Sequence, residues 1–236
     1  VEVGIGADIT AKQEALEYLE KVPEEMKFMT SSCCPAFVKM IKTHLPEVAS
    51  HISETPSPMI TTALMVKHKY PHAITVFIGP CIAKKGEAHE HSDVIDYVMT
   101  FEEAQCMCEG KDIYFEEMDS AEFERDASKL GLGFAIVAGV SAAVDDTVTA
   151  VGGKVRAAHY ASGLDKCLKD LKDVCDGKLD CSYFEGMACP NGCIDGPGTV
   201  GDFHLTKVAL TNYAKTAPNK VCLEDKHTSE QCPDCN

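Results

Sequence analysis

Basic residues and long apolar runs are scarce in this sequence. It has 22 Lys and Arg against 37 Asp and Glu, a net charge of −15. This balance argues against a nucleic-acid partner, because phosphate backbones are bound by clustered Lys and Arg. No apolar run approaches the roughly 20 residues that a membrane helix needs, and no signal-peptide pattern opens the chain. These absences predict a cytoplasmic protein without a membrane span.

Internal repeats, low-complexity segments and histidine metal motifs are also missing. The nine histidines form no His-x3-His or His-Glu-x2-His pattern, so a helix-borne histidine metal site is not indicated. The 236 residues are 45% hydrophobic, and a chain of this length buries roughly 70–75% of the surface that its unfolded form exposes. One large domain and two small lobes both fit this length.

Strand-like and helix-like patterns alternate along the chain, which predicts an α/β fold with a mostly parallel sheet. Residues 72–79 form a β-branched apolar run, typical of a strand buried on both faces. Residues 93–100 alternate like a second strand, and Thr100 and Glu103 have capping-box spacing for a helix after it. Other helices are predicted at residues 10–22, 36–45, 58–69, 161–172 and 201–215.

The first of these helices is predicted to begin at Thr10, which has capping-box spacing to Gln13. Glu14 and Glu17 are three residues apart and share a side of this helix. From the residues alone, both are solvated surface carboxylates. The apolar face is predicted to consist of Ala11, Ala15, Leu16, Leu19 and Val22.

Thirteen cysteines are the most unusual feature of the chain. Their number is odd and a chain of this size does not need disulfides, which favours reduced thiols that bind a metal or cluster. Cys34 precedes Pro35 at a predicted helix N-terminus, where free amide groups favour a thiolate. Cys81 follows the strand that ends at Gly79, and α/β folds build their sites at such strand ends.

Cys189 and Cys193 are separated by three residues in "MACPNGC", and glycines at 192, 196 and 198 permit a close backbone approach. With the two upstream cysteines they number four, which is the ligand set of a 4Fe-4S cluster. A zinc site is a second interpretation, although structural zinc usually takes two close pairs. Unconnected buried thiols are a third, and the spacing does not choose among them.

The neighbours of these cysteines resemble the three cluster-binding signatures of iron-only (FeFe) hydrogenases. "MTSSCCPAF" at 29–37 is similar to the family's Thr-Ser-Cys-Cys-Pro-x-Trp motif. "FIGPCIAKKGEA" at 77–88 is similar to Met-Pro-Cys-x-x-Lys-x-x-Glu. "FEGMACPNGCIDGPG" at 184–198 is similar to Phe-x-x-x-Met-Ala-Cys-x-x-Gly-Cys-x-x-Gly. The stretches follow the family's order, and the resemblance covers roughly residues 5–215.

The resemblance implies two lobes of mostly parallel sheet flanked by helices, with the cluster in the cleft between them. The hydrogenase domain is expected at residues 1–217, with 1–70 as the remainder of the first lobe and 71–217 as the second. Residues 218–236 are a polar tail with Cys222, Cys232, Cys235 and His227. The tail is interpreted either as a frayed end or as half of a zinc or accessory-cluster site.

The resemblance also assigns the ligands of the family's H-cluster. Cys34, Cys81, Cys189 and Cys193 match the ligands of its 4Fe-4S part. Cys193 matches the residue that bridges to a diiron subcluster with carbon monoxide, cyanide and azadithiolate ligands.

Four further residues match the surroundings of that diiron subcluster. Lys84 matches a lysine that donates to cyanide, and an ammonium group suits this role because it offers several charged donors. Met187 matches a methionine near the diiron unit, although from the residues alone it is simple core filling. Ser57 and Pro80 are also expected at the cofactor.

A proton relay is implied as well, running from Cys33 through Glu14 and Ser53 to Glu17. Cys33 matches the thiol that exchanges protons with the diiron site, and a thiol with a pKa near 8.5 suits that exchange. Only the resemblance gives the two glutamates a role.

Several positions depart from the family pattern. Gly79 replaces a methionine, Phe37 a tryptophan, Met59 a glutamine and Pro197 a glycine-like residue. These departures resemble a divergent subgroup, so an altered rate, bias or hydrogen affinity is expected. The family's opening strand and diiron cradle are not found before Val1, so either the enzyme is naturally minimal, or that part lies on another chain or segment, or it was removed.

The expected function is reversible interconversion of H2 with protons and electrons in an anaerobic organism, with a carrier such as ferredoxin. One alternative is an H2-sensing regulatory hydrogenase with slow turnover. The other is a non-catalytic hydrogenase-like iron–sulfur protein without the diiron unit. Cys33 and Lys84 argue against the last, since neither is needed to hold a cubane.

Overall fold

The structure is a computed structural model that describes residues 1–119, 121 and 125–222. Helices and strands alternate along most of it, as the patterns predict. The helices are α1 (Val3–Lys21), α2 (Pro35–His44), α3 (Pro58–Lys69), α4 (Ala83–Glu90), α5 (Phe101–Glu109), α6 (Lys129–Gly133), α7 (Gly139–Ala150), α8 (Leu164–Cys175) and α9 (Phe203–Lys215). The strands are β1 (Met29–Thr30), β2 (Val76–Gly79), β3 (Tyr97–Thr100), β4 (Ala158–Ser162) and β5 (Tyr183–Met187).

The strands form two parallel sheets, which confirms the predicted α/β class. One sheet has the order β1-β5-β4 and the other pairs β2 with β3. Tyr183 at the start of β5 lies opposite Met29 on one side and Ala158 on the other. In the second sheet Val76 lies opposite Tyr97. Within the described residues, no helix is long and apolar enough to cross a membrane.

The three-stranded sheet is packed on both faces. On one face, buried side chains of α1 and α7, including Ala15, Tyr18 and Val144, cluster with Tyr183 of β5. On the other face Phe184 stacks on Phe37 of α2 with ring centroids 6.0 Å apart. This sheet takes β1 from before residue 70 and β4 and β5 from after it. The expected division of the lobes at residue 70 stays a prediction, and the sheets do not follow it.

The predicted helices at 36–45, 58–69, 161–172 and 201–215 are confirmed within a few residues as α2, α3, α8 and α9. The capping box after β3 is also confirmed. Thr100 Oγ1 accepts from the Glu103 amide at 3.1 Å, and the Thr100 amide donates to Glu103 Oε2 at 2.8 Å. These elements have strong local signals and little dependence on their neighbours.

The prediction for α1 was wrong at its start and on part of its apolar face. The helix begins at Val3, and Thr10 lies buried inside it with Oγ1 donating to the Pro56 carbonyl at 3.1 Å. Leu16 and Leu19 are 48% and 37% exposed. Tertiary packing explains both differences. The helices α3, α6 and α7 all pack on α1, and they bury polar residues of α1 as well as apolar ones.

The prediction that residues 72–79 form a strand buried on both faces was also wrong. The strand is limited to Val76–Gly79, and Val76 and Ile78 are 46% and 48% exposed. Phe77 turns inward to a cluster on α3 and α4. An apolar sequence gives no information about which of its faces is covered, and here one face of a two-stranded sheet is open among the described residues.

Candidate metal centre

All four cysteines predicted to bind the cluster line one cleft of about 870 Å³. Cys34 is the N-cap of α2, with Pro35 in the first turn, and Cys81 lies between β2 and α4. Cys189 follows β5, and Cys193 opens a short 3-10 helix at Cys193–Asp195. The segments therefore come from the carboxyl ends of parallel strands, where α/β folds assemble sites.

Burial and mutual repulsion act on these thiols together. Burial raises the pKa of Cys34, and it raises the pKa of Cys189 to about 11 and that of Cys193 to about 12. Nearby thiols, including Cys81, add to each shift, whereas the Ala188 amide donates to Cys34 Sγ at 3.5 Å. The charge of Lys84 lowers the pKa of Cys34 and Cys193 without outweighing burial, so four thiolates at this place need a further positive group, which a metal cluster supplies.

The arrangement fits a cluster better than a single ion. Among the described residues, no three or more His, Cys, Asp or Glu side chains converge as a lone metal ion requires. A tetrahedral zinc site needs all its ligands within about 2.3 Å of one point. In a 4Fe-4S cluster each cysteine binds its own iron at a different corner. Four cysteines around one cleft supply the number of ligands that such a cluster takes.

A second, smaller cavity of about 250 Å³ lies beside the cleft. It is mainly apolar, and its polar groups include Cys33 and Lys84. Cys34, Cys193 and Met187 line both spaces. Its other lining residues include the predicted Pro80, as well as Ala7, Met59, Ile78 and Phe134.

Lys84 is buried on α4, with 8% of its surface exposed. Its Nζ donates to the Cys33 carbonyl at 3.1 Å and to Glu87 Oε2 at 2.6 Å. Glu87 was not identified as a site residue, although the glutamate in the second motif gave a signal for it. The lysine is thus anchored by two acceptors at the wall of the smaller cavity.

Ser57 lies at the N-cap of α3 and lines the larger cleft. Its Oγ is buried and has no hydrogen-bond partner within the described part of the chain. A buried hydroxyl without a partner loses its hydrogen bonds to water without compensation. A polar ligand in the cleft would remove this penalty.

The glycines after Cys193 let the backbone approach Pro80, a contact that was not predicted from the sequence. A Cβ on Gly196 would meet the Pro80 carbonyl oxygen at 2.5 Å, and one on Gly198 would meet it at 3.2 Å. The Gly198 amide donates to that oxygen at 3.0 Å. These glycines therefore tie the third cysteine segment to the loop that carries Cys81.

Glu14 lies in the interior, so its interpretation as a surface carboxylate was wrong. It is 0% exposed. Oε1 accepts from the Ser32 amide at 3.0 Å and from Ser32 Oγ at 3.2 Å, and Oε2 accepts from the Tyr183 hydroxyl at 2.6 Å. Burial raises the pKa of Glu14 to about 7, against the lowering effect of these donors. A carboxyl with this pKa exchanges protons near neutral pH.

Glu17 and Ser53 form a second hydrogen-bonded group. Ser53 Oγ donates to Glu17 Oε2 at 2.6 Å, Thr55 Oγ1 donates to it at 3.2 Å, and Lys21 Nζ donates to Oε1 at 2.9 Å. Burial opposes ionisation of Glu17, but the hydrogen bonds outweigh it and lower the pKa. The Glu54 amide donates to Glu17 Oε1 at 3.1 Å, and the Glu54 side chain is exposed, so part of this group reaches solvent.

The two groups lie side by side without a direct link between Glu14 and Ser53 in the described structure. Ser32 Oγ contacts Glu14 and also donates to the Thr55 carbonyl at 2.6 Å. Cys33 has no hydrogen bond to Glu14 among the described contacts, but its pKa is raised well above its usual value by burial and then by the charge of Glu14. The predicted relay residues are therefore neighbours.

Comparison with known proteins identifies the family. A family model described as iron only hydrogenase large subunit, C-terminal domain, matches residues 1–197. The chain belongs to the iron-only hydrogenase family. Iron hydrogenase 1 of Clostridium pasteurianum is 24% identical over 278 residues, covering 98% of this chain and 48% of that protein.

Other curated relatives differ in their descriptions. The periplasmic Fe hydrogenase large subunit of Nitratidesulfovibrio vulgaris is 28% identical over 242 residues, covering 81% of this chain and 57% of that protein. A cytosolic Fe-S cluster assembly factor of Kluyveromyces lactis is 32% identical over 108 residues, covering 43% and 23%. The chain spans about half the length of the two hydrogenases.

Solved structures confirm the hydrogenase fold. An FeFe-hydrogenase HydA described as revealing stepwise H-cluster assembly matches with a TM-score of 0.77 and 19% identity, covering 98% of this chain and 78% of that one. A variant of apo FeFe-hydrogenase HydA1 from Chlamydomonas reinhardtii matches with a TM-score of 0.76 and 18% identity, covering 97% and 78%. At these identities the likeness concerns the fold.

The departures from the hydrogenase motifs lie in different surroundings. Phe37 is fully buried on Phe184, so a smaller ring fills the place of the family's tryptophan. Met59 lines the smaller cavity, where a glutamine would offer a polar group. At Gly79 a Cβ would meet the Phe77 ring at 2.6 Å. Pro197 lines the larger cleft and is exposed.

Several site residues were not predicted from the sequence. Ser32, Thr55 and Tyr183 complete the hydrogen bonds of the two glutamates. They come from separate segments that meet only in the folded chain, so no local pattern marks them. Of the tail residues, Cys222 is fully buried in the core, so its interpretation as part of a frayed end was wrong. His227, Cys232 and Cys235 lie outside the described residues.

Proposed function

We propose that this chain carries an H-cluster and catalyses the reversible interconversion of H2 with protons and electrons. The observation that carries this proposal is the pair of adjoining spaces. A cleft with four cysteines meets an apolar cavity that has Cys33 and Lys84 in its wall. A site for a cubane alone would not require the second space.

The 4Fe-4S part is proposed to bind Cys34, Cys81, Cys189 and Cys193. The diiron unit, with its carbon monoxide, cyanide and azadithiolate ligands, would lie in the smaller cavity. Cys193 and Cys34 both line the two spaces, and the resemblance to the family assigns the bridge to Cys193. When bound, the diiron unit supplies the site at which H2 is split or formed.

The side chains around the smaller cavity would orient that unit and keep water away. The Lys84 ammonium is proposed to donate to a cyanide ligand, with Glu87 and the Cys33 carbonyl fixing its position. Met187, Met59 and Pro80 provide apolar walls. The free hydroxyl of Ser57 on the cleft side is proposed to donate to the cofactor.

Protons are proposed to move between the cavity and solvent through Cys33, Glu14, Ser53 and Glu17. The Cys33 thiol lines the cavity, and the Glu14 carboxyl exchanges a proton near neutral pH. Ser53 Oγ already donates to Glu17, so it can pass a proton by rotating its hydroxyl. Because Glu14 and Ser53 share no hydrogen bond in the described structure, a side-chain movement or a water must join them.

A redox carrier such as ferredoxin is proposed to exchange electrons through the cubane, in the cytoplasm of an anaerobic organism. The proposed hydrogenase domain is residues 1–217, with lobes at 1–70 and 71–217 and a tail at 218–236. A slow H2 sensor would use the same site, and turnover separates it from a metabolic enzyme.

A hydrogenase-like iron–sulfur protein without the diiron unit is the second candidate. The likeness to the assembly factor, which covers 43% of the chain, favours it. The buried Lys84 and the apolar cavity argue against it, since a cubane needs neither.

Infrared spectroscopy after anaerobic loading with a synthetic diiron cofactor distinguishes the candidates. We expect carbonyl and cyanide bands in the wild type and none in Cys193→Ala. The matched control is Cys108→Ala, because Cys108 is a partly buried cysteine of α5 that lines neither space. Wild-type protein without these bands would contradict the hydrogenase proposal. Cys33→Ala should keep the bands and lose most H2 evolution from reduced viologen, and unchanged turnover would remove Cys33 from the relay.

A further inference from the structure

We propose that the Tyr183 phenol is a positioning residue that holds Glu14 and determines how readily this carboxyl takes up and releases a proton. The importance of that effect for turnover rests on the proposed function, but the contact itself does not. Tyr183 Oη donates to Glu14 Oε2 at 2.6 Å, and both residues are 0% exposed. The contact joins α1 to β5 across 169 residues of sequence.

The two oxygens of Glu14 are held by different groups. Ser32 donates to Oε1 through its amide and its hydroxyl, whereas Tyr183 donates to Oε2. A hydrogen bond to an ionised carboxylate is stronger than one between neutral groups. The phenol therefore stabilises the ionised form of a carboxyl that burial disfavours.

The phenol acts as a donor and keeps its own proton. Burial, followed by the charge of Glu14, raises the pKa of Tyr183 well above its usual value. The other titratable groups that face this pair are Glu17 and Cys33, while Glu185 acts on Tyr183. All are acids, so none of them replaces the stabilisation that the phenol gives to the Glu14 carboxylate.

The position of the ring is fixed by the packed sheet. Tyr183 lies in the central strand between Met29 and Ala158. Its ring meets that of Tyr18 edge-on, with centroids 6.2 Å apart. Tyr18 directs its own hydroxyl away to Ser182 Oγ at 2.9 Å. The cluster thus offers two buried tyrosines in contact, one bonded to Glu14 and one bonded elsewhere.

That pair supplies a matched test in the full chain. Tyr183→Phe removes the donor and keeps the ring, and Tyr18→Phe removes a neighbouring buried hydroxyl. We expect the Glu14 pKa to rise by about 1–2 units in Tyr183→Phe and to stay within a few tenths of a unit in Tyr18→Phe. Carbon-13 NMR of labelled glutamate measures it, with the Glu14 signal assigned by Glu14→Gln.

The titration needs no diiron cofactor, so it decides the role of Tyr183 even if the chain makes no H2. An unchanged pKa in Tyr183→Phe, or equal shifts in both variants, would overturn the proposal. Replacement of Tyr183 by 3-fluorotyrosine, a stronger donor, tests it without removing a group, and the pKa should then fall. In loaded enzyme, the pH at which H2 evolution declines on the alkaline side should rise in Tyr183→Phe alone.

Discussion

The two sheets of this molecule differ in how completely they are covered. Every residue of β5 in the three-stranded sheet is buried. In the two-stranded sheet, Val76 and Tyr97 are 46% and 63% exposed. The proposed site joins these unequal halves. Three of its cysteines follow strands of the packed sheet, whereas Cys81 and Lys84 follow the open one.

This difference indicates which site residues are held most firmly in position. The packed sheet fixes Cys34, Cys189 and Cys193 as well as the partners of Glu14. The loop with Cys81 follows a two-stranded sheet that has exposed side chains. Close contacts of Gly196 and Gly198 with the Pro80 carbonyl oxygen attach this loop to the segment that carries Cys193. We therefore expect substitutions in the two sheets to have unequal effects.

The largest difference is expected for aromatic truncations. Phe184→Ala removes a fully buried ring and should lower the free energy of unfolding by about 3–5 kcal/mol. Tyr97→Ala removes a largely exposed ring and should cost less than about 1 kcal/mol. Urea unfolding of both variants measures the effects. Equal losses would show that the second sheet is as well packed as the first.

The pH dependence of stability should have opposite signs for Glu14, which packs on the three-stranded sheet, and Asp96, which lies beside the two-stranded one. The pKa of Glu14 rises from 4.5 to about 7 on folding, so its contribution is complete below pH 4.5 and is lost as pH rises through about 7. Relative to wild type, Glu14→Gln should gain up to about 3 kcal/mol between acidic and neutral pH. A difference that is constant with pH would contradict the burial of an ionisable Glu14.

Asp96, which follows Ile95 just before β3, behaves in the opposite way. The Thr75 amide donates to it at 2.7 Å and Lys67 at 2.9 Å. These hydrogen bonds lower its pKa from 3.8 to about 2. Its contribution is therefore present above pH 3.8 and lost as pH falls through about 2. Asp96→Asn should destabilise the protein at neutral pH, and that difference should shrink in acid.

A smaller contrast is expected for two glycines. A Cβ at Gly186 in β5 would lie 2.2 Å from the Phe37 ring, whereas one at Gly86 in α4 meets nothing within 4 Å. Gly186→Ala should cost about 1–3 kcal/mol. Gly86→Ala should gain up to about 1 kcal/mol through helix propensity. Thermal unfolding compares them, and a stable Gly186→Ala would mean that Phe37 moves freely.

The parts of the fold that sequence predicts best are those with local causes. The capping box at Thr100 and the helix after Pro35 depend on residues within one turn. The ligand segments carry motifs that stay contiguous in the chain. Their place at strand ends follows from the α/β pattern.

The errors have tertiary causes. Residues 72–79 were predicted to form a strand buried on both faces, because an apolar run does not show how many of its faces are covered. Glu14 reads as a surface residue because its donors, Ser32 and Tyr183, come from distant segments. The extension of α1 to Val3 depends on neighbours on several sides. Resemblance to the family identified Glu14, whereas helical periodicity did not.

Iron and sulfide content after anaerobic reconstitution tests the central claim most directly, namely that cysteines from both sheets hold one cluster. Wild type and Cys108→Ala should contain about four irons and four sulfides per chain, with the electron paramagnetic resonance signal of a reduced 4Fe-4S cluster. Cys81→Ala should lose iron and change that signal, because it removes the ligand contributed by the open sheet. An unchanged cluster in Cys81→Ala, or one zinc per chain in the wild type, would contradict the account.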